Sequence, residues 1–395
     1  MISGYRKIPC VIQRGGSSKG VFLLEKDLPE DAKLREKIIL SIFGSPDKRQ
    51  IDGLGGADPL TSKVAIISPS NRSDADVDYT FGAVDINEPI VDFSSNCGNI
   101  SSGVGPFAID VGLVKAQDPE TVVRIFNTNT QKILKAYVPT INEKTQYLGD
   151  YTVDGVPGTS AKILLDFSET EGAVTGKLLP TGNPVDIASV PGIGNIEMSI
   201  VDAGNPGCYI KPDALRLSGT EGPLDKKIID LLDTIERIRG TAAQMMGIVD
   251  DASNARLEKP SVPFLAIVSR SATYRSYADG STIDAGDIDF VLRPFYMQEM
   301  HKTIGGTMTV CTGAAAMIEG TLVNAIYAPR AGKTKTVRIG HASGRISIEA
   351  GVETKGDGPH LTLAAFGRTS RRIMDGFVYI PEDLFKHNTD ERQEK

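Results

Sequence analysis

The chain has 395 residues, more than a single hydrophobic core usually supports, so two domains are expected. Apolar residues make up 40% and charged residues 24%, the balance of an ordinary soluble protein. The formal net charge is −7 with no long basic run, which argues against nucleic acid and anionic membrane as partners; a small anion held by backbone N–H groups is still allowed.

The opening "MISGYRKIPCVIQRGG" lacks the long apolar stretch of a signal peptide, and a cytoplasmic protein with reduced thiols is expected. Strands are predicted at "IPCVIQ", "GVFLL", "KVAIIS", "DVDYTFGAVD", "TVVRIFNT" and "KILKAYVPT", which are rich in Val, Ile, Tyr and Thr and mostly bounded by Gly, Pro, Asn or Asp. Between the first two, "QRGGSSKGVFLL" reads most simply as a hairpin turn. Its glycines followed by Ser17 and Ser18 also make a nest suited to a carboxylate or phosphate. No helix follows it, so nucleotide triphosphates are not the expected ligand. "PEDAKLREKIILSIFG" predicts a helix stopped by Gly44.

"IDGLGGADPLTSKVAIIS" is a glycine-rich loop that leads into a strand rather than a helix, so it is not a dinucleotide fingerprint. Lys63 opens that apolar strand. A solvated lysine is the ordinary state, whereas a desolvated one becomes available as a base. In "SSNCGNISSGVGPFAIDVGLV", Cys97 sits where a strand gives way to a small-residue helix, with Ser95 or Asn96 as the candidate cap. The N–H groups of Gly98 and Asn99 would face forward, free to meet an anion. A thiol that does chemistry and a small inert residue at a tight turn both remain open readings.

The Pro-, Gly- and Asn-rich "PTGNPVDIASVPGIGN" (180–195) reads as a linker, giving domains at 1–187 and 188–395. "VDAGNPGCYI" contains a turn in which Asn205 can offer its amide to a carboxylate. "PLDKKIIDLLDTIERIRGTAAQMMG" predicts an amphipathic helix. In "MHKTIGGTMTVCTGAAA", Gly305, Gly306 and Thr307 make a second nest at a helix start, with His301 just before it and Cys311 inside the helix as packing. The four cysteines are far apart and the four histidines form no HExxH, so no metal site is expected. Two buried small-residue helices, each amid strands, suggest an α+β chain of two similar halves, each a curled sheet around a central helix.

Taken in order, "RGGSSKGVF", "GGADPLTSKVAII" and "NCGNISSGVGPFAI" resemble the PrpF family, within the superfamily of diaminopimelate epimerase, over nearly the whole chain. That resemblance implies two barrel-like domains, each around a central helix, with the active site between them and the last strand free to return to the first domain. It implies an isomerase without metal or organic cofactor that moves a proton and a double bond in an unsaturated di- or tricarboxylate. Methylaconitate or methylitaconate is the expected substrate type, with 4-oxalomesaconate or aconitate as alternatives. The family's catalytic lysine and cysteine match Lys63 and Cys97, and its substrate-binding groups match Ser17, Ser18, Asn205, His301, Gly305, Gly306 and Thr307, beside Gly98 and Asn99. The second nest, "TIGGTMT", has no cysteine at the helix start, which argues against racemisation by a thiol pair. A pyridoxal phosphate Schiff base on Lys63 and a non-catalytic carboxylate-binding protein are the rival readings, and a homo-oligomer is compatible with either.

Overall fold

The structure, a computed structural model, describes residues 3–331 and 335–385. It contains two curled sheets, each wrapped around a helix made of small residues. In the first sheet, Ser370–Pro381 pairs with Tyr5–Gly15, followed in pairing order by Ser18–Leu24, Lys63–Pro69, Val77–Val84, Glu120–Asn127, Lys132–Ile141 and Ile163–Asp166. The helix Gly98–Asp110 runs inside and is buried at every position except Asp110. In the second sheet Asp186–Val190, Gly194–Ala203, Asn205–Ile210, Phe264–Arg270, Phe290–Tyr296, Thr336–His341 and Gly344–Lys355 follow one another around the helix Gly306–Met317. The strand Gly358–Arg368 joins the two: its first part pairs with Gly344–Lys355 and its last residues with Ile163–Asp166. From Arg368 the chain passes directly into Ser370–Pro381, beside the first strand.

Each sheet has an apolar set on both faces. In Lys63–Pro69, Ala65 and Ile67 face the central helix, while Val64 and Ile66 face the outer helix Ala32–Phe43. The second sheet repeats this, with Val201 and Tyr209 facing inward and Ile200 and Ile210 packing on the outer side with Ile235 and Ile238 of the helix Leu232–Met245. This two-residue period puts Lys63 on the inner face with Ala65, and Ser18 on the inner face with Phe22. The α+β architecture of two sheets around central helices is the one expected from the sequence.

Three local expectations are corrected. Residues 186–190 are not linker: they form a hairpin with Gly194–Ala203, and Ala188 and Val190 alternate into the outer apolar cluster. The Pro191–Gly192 signal marks the turn of that hairpin, with Gly192 at φ 72°. The amphipathic helix expected over 223–247 is interrupted at Asp230 and Leu231, leaving Lys226–Ile229 and Leu232–Met245. Neither Ser95 nor Asn96 caps the first central helix; Cys97 is its N-cap, and there is no side-chain cap hydrogen bond. The helix Ala32–Phe43 starts on the Asp31 carboxylate and ends at Gly44 in the left-handed region, as its sequence predicts.

The two central helices meet start to start. A Cβ built on Gly98 would lie 2.7 Å from the Thr307 amide nitrogen and 2.8 Å from the Gly306 backbone, and one on Gly306 would lie 2.7 Å from Gly98. Only glycine permits this approach, and backbone on the other side cannot rotate away. Gly98→Ala is therefore expected to lower stability by about 1–3 kcal/mol, read as a lower urea midpoint at an unchanged slope. An unchanged midpoint would mean that the helix starts are free to separate.

Candidate active site

Lys63 and Cys97 come together beside this junction. Lys63 is 2% exposed, and its Nζ donates to Ser18 Oγ at 3.1 Å and lies 3.3 Å from Cys97 Sγ. The parallel pairing of Gly20 with Lys63 brings Ser18 alongside. The Tyr296 ring centroid lies 5.5 Å from Lys63 Nζ, and burial, followed by the proximity of Cys97, holds its phenol well above the usual range. Cys97 is also buried, between the last residues of the strand side and the first helical turn.

Asn205 holds the residue before the cysteine. Its Oδ1 accepts the Asn96 N–H at 3.0 Å and its Nδ2 donates to the Asn96 carbonyl at 2.8 Å. Thr307 Oγ1 donates to the same carbonyl at 3.3 Å. The second half of the chain thus fixes the backbone on which Cys97 is carried. Asn99 ties three parts together: Nδ2 donates to Ser17 Oγ at 3.1 Å and to the Ile304 carbonyl at 3.3 Å, and Oδ1 accepts from Arg368 Nε at 2.8 Å. Ser17 in turn shares a hydrogen bond of 2.8 Å with Thr303.

His301 lines the same pocket as Lys63, Cys97, Gly305 and Thr307. Burial, reinforced by the charge of Lys63, pushes its imidazolium down to about 3, so the ring is neutral. The Thr303 N–H donates to Nδ1 at 3.1 Å, which leaves the ring hydrogen on Nε2. The helix Gly306–Met317 also begins without a side-chain cap, on Gly305. Two uncapped helix starts, a neutral imidazole donor and a lysine paired with a cysteine therefore converge. Such a set can hold an anion, take a proton from carbon and return one. Cys311, by contrast, donates to the Val201 carbonyl at 3.2 Å, and burial raises its thiol to about 12, which fits its reading as packing.

Of the site residues expected from the sequence, Lys63, Cys97, Asn205, His301, Gly305 and Thr307 line this pocket, Ser18 bonds to Lys63, and Gly98 and Gly306 touch where the two helices begin. Ser17 lines a neighbouring cavity instead, and Asn99 bonds to it. Sequence reasoning missed Tyr296, Thr303 and Arg368. Thr303 had a signal, being two residues beyond His301; Arg368 had none, since it stands at the end of a strand far along the chain.

With this geometry in place, comparison with known proteins decides the family. The PrpF protein family model matches residues 5–381. The chain belongs to the PrpF family. It is 50% identical over 380 residues to a 3-methylitaconate isomerase of Eubacterium barkeri, covering 96% of this chain and 98% of that protein. It is 37% identical over 400 residues to a 2-methyl-aconitate isomerase of Cupriavidus necator, covering 96% and 98%. The crystal structure of a methylitaconate-delta-isomerase superposes with a TM-score of 0.77 at 48% identity, covering 97% of each chain. This PrpF-family chain thus shares its fold and nearly its full length with named isomerases.

The neutral state of His301 has a sign that can be checked. The unfolded histidine binds a proton near pH 6.5 while the folded one does not until about pH 3, so stability falls as pH drops through that window. Ring-nitrogen NMR is expected to show the His301 imidazole neutral with the hydrogen on Nε2 at pH 5. A charged ring at that pH would remove it as a neutral donor.

Proposed function

We propose that the chain is an isomerase that moves a proton, and with it a double bond, in an unsaturated polycarboxylate of the methylitaconate or methylaconitate type. The observation that carries this reading is the 3.3 Å contact of Lys63 Nζ with Cys97 Sγ at the junction of two uncapped helix starts. The activities for which the relatives at 50% and 37% identity are named support it.

A C–H bond γ to a conjugated carboxylate is weakly acidic, because its removal spreads charge through a dienolate onto the carboxylate oxygens. That charge needs oriented donors in a dry site. The amides of Gly98 and Asn99 on one side and Gly306 and Thr307 on the other would supply them, with the Nε2–H of His301 between. Because no cap competes for these amides and both helix dipoles point into the pocket, the donors are set before the charge forms.

Lys63, as the amine, takes the γ-proton, and Cys97 returns one at the other allylic carbon. As amine and thiol the pair holds one base and one acid; after one turnover the lysine is the ammonium and the cysteine the thiolate, so the reverse reaction uses the same two groups with their roles exchanged. Ser18 steers the Lys63 nitrogen, while Asn205 and Thr307 keep the Cys97 backbone still. Ser17 and Asn99 lie where a carboxylate reaches the first helix.

Proton NMR in D₂O with methylitaconate, 2-methylaconitate, cis- and trans-aconitate and 4-oxalomesaconate tests the reaction. At least one is expected to lose its γ-proton signal as an isomer appears; exchange in none would overturn the reading. On the compound that reacts, Lys63→Ala is expected to lower both exchange and isomerisation by about 10²–10⁴-fold. Cys97→Ser is expected to slow isomerisation more than exchange at the abstracted position, because Lys63 still removes the proton. Equal slowing of both would return Cys97 to an anion-shaping role.

A further inference from the structure

Ser17 and Thr303 also line a second cavity, of about 350 Å³. Arg368 lines it and is 4% exposed. Its Nε is held by Asn99 Oδ1 and its Nη1 donates to the Gly367 carbonyl at 3.3 Å. Among the described residues no carboxylate forms an ion pair with it. Of the other charges on the wall, Arg338 pairs with Asp289 and Asp287 pairs with the Arg345 guanidinium, while Asp154 accepts the Arg345 backbone N–H at 2.7 Å and its charge acts on Arg368 without an ion pair to it. His341, 2% exposed, also lines the cavity; its Nδ1 accepts the Ser343 N–H at 3.3 Å, leaving Nε2–H as a donor.

A buried guanidinium without a carboxylate is costly, and the cost is met when a ligand brings one. We propose that Arg368, with His341 beside it, anchors a third carboxylate of the substrate, so that the chain prefers tricarboxylates over dicarboxylates. This rests on the proposed polycarboxylate site and names its substrate class. The vicinal carboxylates of the reacting unit lie at the helix starts. The third arm passes the Ser17–Thr303 contact into the cavity and meets the guanidinium. Asn99, bonded to both Ser17 and Arg368, sets the distance between the two anion positions.

Titration calorimetry with two saturated acids tests this independently of turnover, since neither can isomerise: propane-1,2,3-tricarboxylate, and methylsuccinate, which is the same skeleton without one terminal carboxylate. At equal ionic strength the native protein is expected to bind the tricarboxylate at least about tenfold more tightly, the scale of a charge-assisted pair. Arg368→Gln is expected to lose that preference, weakening the tricarboxylate about tenfold and methylsuccinate by less than about threefold, and Arg368→Lys to restore part of it. Equal weakening of both acids, or no preference in the native protein, would overturn the subsite. The native measurement decides the matter even if the variants fail to fold. Failure of the D₂O exchange experiment together with a retained tricarboxylate preference would overturn the isomerase reading and leave the subsite standing.

Discussion

The close approach of Gly98 to Gly306 is the contact on which the rest of the site depends. Two buried helices from opposite halves of the chain touch at their first residues, and at that point neither carries a side chain. Their uncapped amides then face one shared volume instead of two separate ones. Everything chemical is arranged around this junction. Cys97 is the residue immediately before one helix, His301 stands a few residues before the other, and Lys63 reaches in from a strand whose inner face is otherwise apolar. The cross-bonds of Asn205 to Asn96 and of Asn99 to Ile304 keep the halves in register across it.

Charge is managed here by burial more than by pairing. Lys63 and Arg368 are both buried basic side chains without a carboxylate ion pair among the described residues, and both of the histidines nearby, His301 and His341, are kept neutral by their surroundings. The field of the site is therefore positive, inside a protein whose net charge is negative. A polycarboxylate is the kind of ligand that such a field selects, and the acidic exterior does not prevent it because the opposing charges are screened over about 10 Å. The ion pair of Lys302 with Asp58, joining the glycine-rich loop before Lys63 to the segment after His301, closes the two halves over this field.

Much of this was legible in the chain because the relevant signals are local. A thiol before a run of glycines and serines, a lysine opening "VAII", and a glycine pair before "TMTVCTGAAA" each report on the few residues around them, and each stands at an element boundary in the structure. Local signals also misled. Pro191 and Gly192 mark a turn, but a turn within a hairpin and a turn between domains look alike over sixteen residues; only the pairing of Asp186–Val190 with Gly194–Ala203 tells them apart. Ser95 and Asn96 are good capping residues by type, yet the Asn96 backbone is claimed by Asn205, 109 positions away.

What the sequence by itself determined is the set of elements and the chemistry they carry: period-two strands that turn Lys63 and Ser18 to one face, small-residue helices that can be buried on all sides, and a family resemblance through motifs at their starts. What only the tertiary structure decided is which of these meet. The separation between Lys63 and Cys97, the neutral state of His301 and the burial of Arg368, which has no carboxylate ion pair among the described residues, all depend on surroundings assembled from both halves. Burial and electrostatic environment are properties of the closed fold, and Arg368 enters the site only because its strand crosses from one sheet to the other. No pattern of neighbouring residues encodes that crossing, since the side chains that surround it come from positions more than two hundred residues apart.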